Sequence, residues 1–394
     1  MNTIRHPRSI TLLVASTLTV MAGAIIAPAL PEISREYAHL PNAELLSKLI
    51  LTLPALFIGL LAPLAGYVVD MSGRRKVLIA SLGVYAIAGT TGAWLDNIYL
   101  ILVGRAFLGM SVGAMMTAVI TLIGDYFDGR ERSSFMGYQA AFASTGGLIF
   151  ISTGGILADM HWRFPFLIYS VSLIIMIMAI RFVNEPVIHS NNDQNRKVFS
   201  TDLLKQIPLQ AWWVYAIAFF SFAVFYMIPV QMPFMLSAIE GTTNTQIGFA
   251  IALMNITAMI TAFNYGNIKR RFHFTHIMAM VYFLVALGYV LISQSHSYVV
   301  MTLGILVCGL GFGMQMANVN LWLVQLAPAK IRGTMVGYLN AFIFLGMFLS
   351  PVLLQPLLAI SSLYQSFFWV AMILILTAIA LLISKARGWW GVSL

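Results

Sequence analysis

The chain has 394 residues, 60% hydrophobic and 9% charged, with a mean hydropathy of +0.88. An ordinary soluble domain is about 25% charged, so these charges are too few to coat a soluble fold, and a soluble enzyme, a disordered chain and a collagen-like fibre are excluded. A single cysteine, Cys308, excludes a disulfide framework and a cysteine-rich metal site, and the net charge of +9 is accounted for by where the cations fall.

A helix crosses roughly 30 Å of hydrocarbon with about 20 apolar residues. In chain order the sequence predicts spans over 10–31, 48–69, 77–95, 98–122, 134–157, 164–184, 211–235, 245–267, 276–294, 298–323, 335–357 and 363–384. The first follows Arg5 and Arg8, but it exceeds the apolar core of about 7–15 residues of a secretory signal, and further spans follow, so it reads as a membrane helix. The one long polar segment is 185–210. The expected fold is an all-α integral membrane protein of twelve transmembrane helices in two pseudo-symmetric six-helix bundles, 1–184 and 211–394, joined by a cytoplasmic linker over 185–210.

With the N-terminus inside, the outer connections hold only Arg35, Lys48 and Arg163, and Arg105 lies within a span. Every other lysine and arginine falls on the inner side, from Arg5 and Arg8 to Lys385 and Arg387. Positive charge kept in inner loops sets membrane topology. Both termini are therefore expected in the cytoplasm, and the basic balance calls for a lipid bilayer and no nucleic acid.

The halves repeat each other at an offset of 200 residues. Gly104, Gly109, Gly113, Met116 and Val119 recur as Gly304, Gly309, Gly313, Met316 and Val319. Arg132, Gly137, Tyr138, Ala141 and Phe142 recur as Arg332, Gly337, Tyr338, Ala341 and Phe342. An offset of six spans preserves orientation, which makes this a parallel repeat about an axis along the membrane normal. Two-halved carriers of this kind hold substrate between the halves near the midplane and alternate access by rocking.

The turn between the second and third spans reads Gly66-Tyr67-Val68-Val69-Asp70-Met71-Ser72-Gly73-Arg74-Arg75-Lys76. The fourth span carries Leu102-x-x-Arg105-x-x-x-Gly109, the fifth Gly146, Gly147, Gly154 and Gly155, and the first ends in Ala29-Leu30-Pro31. In these residues the chain resembles the major facilitator superfamily over essentially its whole length. The turn matches that family's G-x-x-x-D-x-x-G-R-R-K/R signature at every specified position. The fifth span and the Ala-Leu-Pro ending resemble the drug–proton antiporter branch, with Phe150 and Ile151 where that branch has Gly-Pro and Ala22 where it often has an acid.

The resemblance implies a gating role for Asp70, Gly73 and Arg74, with Asp125 as partner, latching the inner faces of the halves. Carboxylates suit helix N-termini and arginine gives planar multidentate bonds; the alternative is that the arginines only anchor topology. Arg105 is the one charge well inside a span, at a cost of at least about 2.5–3.5 kcal/mol on insertion scales. The resemblance implies that it links substrate to proton movement; the alternative is an arginine bonded to backbone carbonyls. No acidic residue lies mid-span, and Glu32, at the outer mouth of the first helix, is the nearest candidate proton site; a solvated helix end is its other reading. Gln139, Tyr226, Gln231, Asn255, Gln315, Asn318 and Asn340 are neutral candidates for substrate binding. Gln315, Asn318 and Trp322 share one helix face, which suits either a cavity wall or interhelical hydrogen bonds.

No paired intramembrane carboxylates, H-E-x-x-H or Walker A motif is present, so the chain is not read as an enzyme or as an ATP-driven pump, and no cofactor or metal is expected. The expected function is secondary transport of a small organic molecule across a bacterial inner membrane by alternating access, by a monomer, through proton-coupled efflux of drug-like or natural-product compounds. A metabolite uniporter or importer without proton antiport is one alternative, and a non-transporting membrane receptor is another.

Overall fold

The computed structural model describes residues 6–186, 206–328 and 331–386. Most of the segment expected as a linker over 185–210 lies outside the described residues, as do Arg5, Arg196, Lys197, Lys205, Lys330 and Arg387.

Twelve helices among the described residues are long and apolar enough to cross a membrane. They are α1 (Pro7–Glu36), α2 (Ala43–Ser72), α3 (Arg74–Trp94), α4 (Ile98–Tyr126), α5 (Gly129–Met160), α6 (Phe164–Phe182), α7 (Leu209–Ser237), α8 (Asn244–Lys269), α9 (Phe274–Ser293), α10 (Tyr298–Leu326), α11 (Arg332–Ile360) and α12 (Leu363–Ala386). Several outrun their predicted spans: α2 starts at Ala43 rather than 48, and α5 at Gly129 rather than 134. Hydropathy marks only the lipid-crossing part, whereas backbone hydrogen bonding carries a helix on into polar sequence. α1 is interrupted. Its first helix ends at Ala24, a 3-10 turn covers Ala27–Ala29, and a short helix follows over Leu30–Glu36. Pro28 and Pro31 carry no N–H to continue the ladder.

The chain forms two compact units, Met1–Ile26 with Glu32–Gln206, and Ala27–Pro31 with Ile207–Leu394. Within the first, α1 packs on α5, α2 and α3 on α4, and α3 on α6. Within the second, α7 packs on α11, α8 and α9 on α10, and α9 on α12. The second set is the first shifted by six helices.

The repeat extends to single contacts. A Cβ on Gly109 of α4 would stand 2.8 Å from Pro54 Cα in α2, and one on Gly309 of α10 would stand 2.5 Å from Met254 O in α8. Gly113 faces Ile58, and Gly313 faces Ala258. The partners, 54 with 254 and 58 with 258, are themselves 200 apart. Small residues let membrane helices approach closely, and here the helix backbones meet where the glycines fall.

Buried hydroxyls bond to main-chain carbonyls. Tyr85 donates to Leu18 O at 2.9 Å and Tyr169 to Ala22 O at 3.0 Å in the first unit. Tyr289 donates to Val224 O at 2.6 Å and Ser350 to Ala223 O at 2.7 Å in the second. Cys308 is fully buried in α10, with its thiol 3.7 Å from Val285 O. Large apolar side chains such as Ile87, Ile174, Phe263 and Leu376 are exposed, as lipid-facing residues are in a bilayer protein.

Candidate functional site

α2 and α3 are joined by a single residue, Gly73, at φ +91° and ψ 144°, a conformation open to glycine and rare for other residues. A Cβ there would also lie 3.0 Å from a carboxylate oxygen of Glu185. That carboxylate accepts the N–H of Arg74 at 2.6 Å and the N–H of Arg75 at 3.0 Å. The first N–H groups of a helix have no partner within it, and the helix dipole favours an anion there. Glu185, just past α6, therefore caps α3. Arg75 reaches back, its Nη2 donating to Ile180 O at 2.7 Å, one of the carbonyls left open at the end of α6.

Arg74 ties this turn to α4. Its Nη2 lies 3.3 Å from Asp70 Oδ1, and its Nε donates to Asp125 Oδ2 at 3.2 Å. The Arg74 side chain is 14% exposed, that of Asp125 28% and that of Asp70 68%. The more sheltered Asp125 contact is the stronger, because solvent screens it less. Asp70, Gly73, Arg74 and Asp125 thus meet in one cluster, and all four lie within the first unit. Glu185 is the member that sequence reasoning missed; it stands 111 residues from Arg74, with no local pattern to mark it.

Arg105 of α4 is fully buried. Its Nη2 donates to Gly89 O of α3 at 3.0 Å, and its guanidinium lies 4.8 Å from the ring centroid of Phe166 and 4.7 Å from that of Tyr169. Cation–π attraction of this kind is worth about 2 kcal/mol or more when desolvated. Nε and Nη1 make no hydrogen bond among the described residues, and no carboxylate there lies within ion-pair distance. The backbone-carbonyl bond raised as an alternative is present, and two guanidinium nitrogens, Nε and Nη1, remain over.

In the second unit, Asn318 is fully committed. Its Oδ1 accepts from Tyr265 Oη at 3.3 Å and its Nδ2 donates to Phe274 O at 3.1 Å. Trp322, one turn on, stacks on Phe274 with centroids 5.7 Å apart. This is the interhelical reading of that stripe, joining α8, α9 and α10. Gln315 is buried with an unbonded Oε1, and Gln231, between Pro229 and Pro233 of α7, is fully buried with both amide atoms unbonded. Gln139, Tyr226, Asn255 and Asn340 are half-buried, as is Glu32 on the last segment of α1.

No Gly-x-Ser-x-Gly nucleophile elbow is expected from the sequence, yet the spacing itself is present. Gly109-x-Ser111-x-Gly113 has the spacing of a hydrolase nucleophile elbow. The structure places it inside continuous α4, with Ser111 buried and its Oγ donating to Leu108 O at 2.7 Å. A nucleophile elbow needs a strand-to-helix turn, so this serine and its flanking glycines serve helix packing.

The sequence profile described as Major Facilitator Superfamily matches residues 12–351. Among curated relatives, the chain is 21% identical to a bacillibactin exporter of Bacillus subtilis (strain 168), over 86% of this chain and 87% of that protein. It is 26% identical to a class C tetracycline resistance protein of Escherichia coli, over 88% of each, and 24% identical to multidrug resistance protein 1 of Bacillus subtilis (strain 168), over 78% and 79%. Among solved structures, a bacterial homolog of the human lysosomal transporter Spinster matches with TM-score 0.78 at 14% identity, over 96% of each chain. A D-xylose–proton symporter matches with TM-score 0.73 at 16% identity, over 95% and 96%.

Proposed function

The chain belongs to the Major Facilitator Superfamily, and from that premise we propose that it exports drug-like or natural-product molecules by proton-coupled alternating access. It acts as a monomer in a bacterial inner membrane, with both termini in the cytoplasm and the halves 1–184 and 211–394 linked through 185–210. The observation that carries this reading is the Arg74 cluster. A salt bridge to Asp125, a second to Asp70 and a carboxylate cap from Glu185 converge on a one-residue turn. Such a cluster has a use in a protein that opens and closes there. The direction of transport is supported by the relatives named as an exporter and as resistance proteins.

Asp70, Gly73, Arg74 and Asp125 form the gate in this reading. Arg105 couples substrate to proton movement, its unbonded Nε and Nη1 being the donors that substrate or water would satisfy. Gln231 and Gln315 contact substrate, because a buried polar group left without a partner costs about 1–3 kcal/mol and a polar ligand relieves it. Gln139, Tyr226, Asn255 and Asn340 extend the substrate contacts, and Glu32 is the candidate proton site.

The test is proton flux in liposomes loaded with a pH-sensitive dye, with amphipathic cations and neutral compounds as trial substrates. Substrate-dependent proton movement, lost in Arg105→Ala, is the expected result. Substrate movement without protons overturns the antiport and supports the metabolite uniporter. That second reading is favoured by one observation: every carboxylate in the sequence lies toward a span end rather than at mid-span, so no acid is placed to be reached from both sides.

A further inference from the structure

We propose that the α8–α9 end of the second unit is a binding site for the phosphate headgroup of an anionic phospholipid. The argument begins with charge. From residue 207 to 394 the sequence holds one carboxylate side chain, Glu240, at the opposite end of α8. Among the described residues, the cations at the α8–α9 end have only neutral partners. Lys269 Nζ lies 4.1 Å from the ring centroid of Phe274. Arg270 bonds to Asn267 Oδ1. Lys385 Nζ, at the end of α12, lies 3.3 Å from His276 Nδ1. Arg332, at the start of α11, reaches Ala327 O at 3.5 Å. No carboxylate among the described residues pairs with any of them.

The repeat shows that this is a substitution and not a gap. Shifted by 200 residues, the carboxylates that hold the first-unit cluster fall on other side chains. Asp70 corresponds to Arg270, Asp125 to Gln325 and Glu185 to Lys385. The glycine contacts on either side keep the register, 54 with 254 and 58 with 258. Where one repeat places three anions around an arginine, the other places two cations and a neutral amide, so the counter-charge must come from outside the unit.

The shape identifies its source. A groove of about 510 Å3 is lined by Asn264, Asn267, Ile268, Arg270, Arg271 and Phe272. Two guanidiniums and two carboxamides supply donors for phosphate oxygens. Ile268 and the exposed Phe272 supply an apolar wall. A soluble anion would use the donors and leave that wall wet, whereas a phospholipid uses both. The groove lies at the end of membrane-crossing helices, where headgroups stand, and basic pockets there are suited to anionic lipid.

The experiment uses the full chain in neutral detergent, titrated with phosphatidylglycerol or with phosphatidylcholine of the same acyl chains, and bound lipid is counted by native mass spectrometry. Phosphatidylglycerol is expected to bind about tenfold more tightly, and the preference is expected to fade as salt is raised. Arg270→Gln with Arg271→Gln should abolish the preference, Arg270→Lys with Arg271→Lys should keep most of it, and Arg163→Gln, whose arginine pairs with Asp96 in the first unit, should leave it unchanged. Equal binding of the two lipids by the wild type overturns the proposal and needs no variant. So does an undiminished preference in the double glutamine variant. Displacement of the lipid by millimolar inorganic phosphate assigns the site to a soluble anion and overturns the lipid as its occupant.

Discussion

The α2–α3 end of the first unit and the α8–α9 end of the second are the same place in the repeat, built with opposite electrostatics. In the first, Arg74 sits between Asp70 and Asp125 while Glu185 caps α3. In the second, the equivalent positions hold Arg270, Gln325 and Lys385. Packing has been kept where charge has not. Gly109 and Gly113 meet the positions equivalent to those met by Gly309 and Gly313, and at Gly109, Gly309 and Gly313 the facing backbone leaves no room for a side chain. Charges at helix ends sit near water, where a change of sign costs little in stability. That is where the two halves could diverge and take on separate tasks.

The sharpest way to break the comparison is to break what the halves share. Gly313→Val drives a side chain into the backbone of Ala258 and is expected to cost about 3 kcal/mol or more, read as loss of folded protein in a thermal melt. Gly337→Ala, where the space is open, should melt no lower than wild type. If the two melt alike, close approach does not set the repeat.

Next comes the difference between α4 and α10. Ile305 stands where Arg105 would be repeated. Arg105 pairs with no carboxylate among the described residues, so Arg105→Ile strands no opposite charge; it gives up the Gly89 O bond and two ring contacts and should melt within about 2 kcal/mol of wild type while transport falls at least about tenfold. A variant that unfolds instead would give Arg105 a structural role.

Asp125→Gln installs the second unit's residue in the first. It removes the better sheltered of the Arg74 salt bridges, at about 1 kcal/mol or less. Transport is expected to slow about tenfold with KM within about twofold, as a gate requires. Asp70→Asn should act in the same direction and more weakly, its side chain being more exposed. A raised KM at normal turnover would move either residue from gate to substrate site. The smallest effect belongs to Glu185→Gln, which keeps one of the two acceptor oxygens and loses the other together with the charge at the α3 N-terminus. About 0.5 kcal/mol of stability and about a twofold change in rate are expected; a larger loss than for Asp125→Gln would make the cap the anchor of the cluster.

How much of this was legible before the structure depends on the range of the interaction. The spans follow from hydropathy, the repeat from residues in register, and Asp70, Gly73 and Arg74 from a local motif on one turn, with Asp125 brought in by its place at the end of the fourth span. Pro28 and Pro31 were visible and mark the break in α1, although the predicted span stopped at 31 and the helix resumes to Glu36. Glu185 was not legible, because a carboxylate capping a helix more than a hundred residues away leaves no trace near itself. The polar stripe on α10 was ambiguous for a different reason. Spacing puts Gln315, Asn318 and Trp322 on one face, but only the partners across that face reveal that Asn318 is held by Tyr265 and Phe274 while Gln315 Oε1 is not bonded.

The lone thiol of Cys308 is enclosed within α10. For anyone wishing to measure movement, the native chain is already silent toward thiol-reactive labels. Trp94→Cys and Gln294→Cys, both on exposed residues at matching points of the repeat, would carry the only reactive sulfurs. Spin or fluorescence labels placed there would read the distance between the two halves as substrate is added, with no background to engineer away.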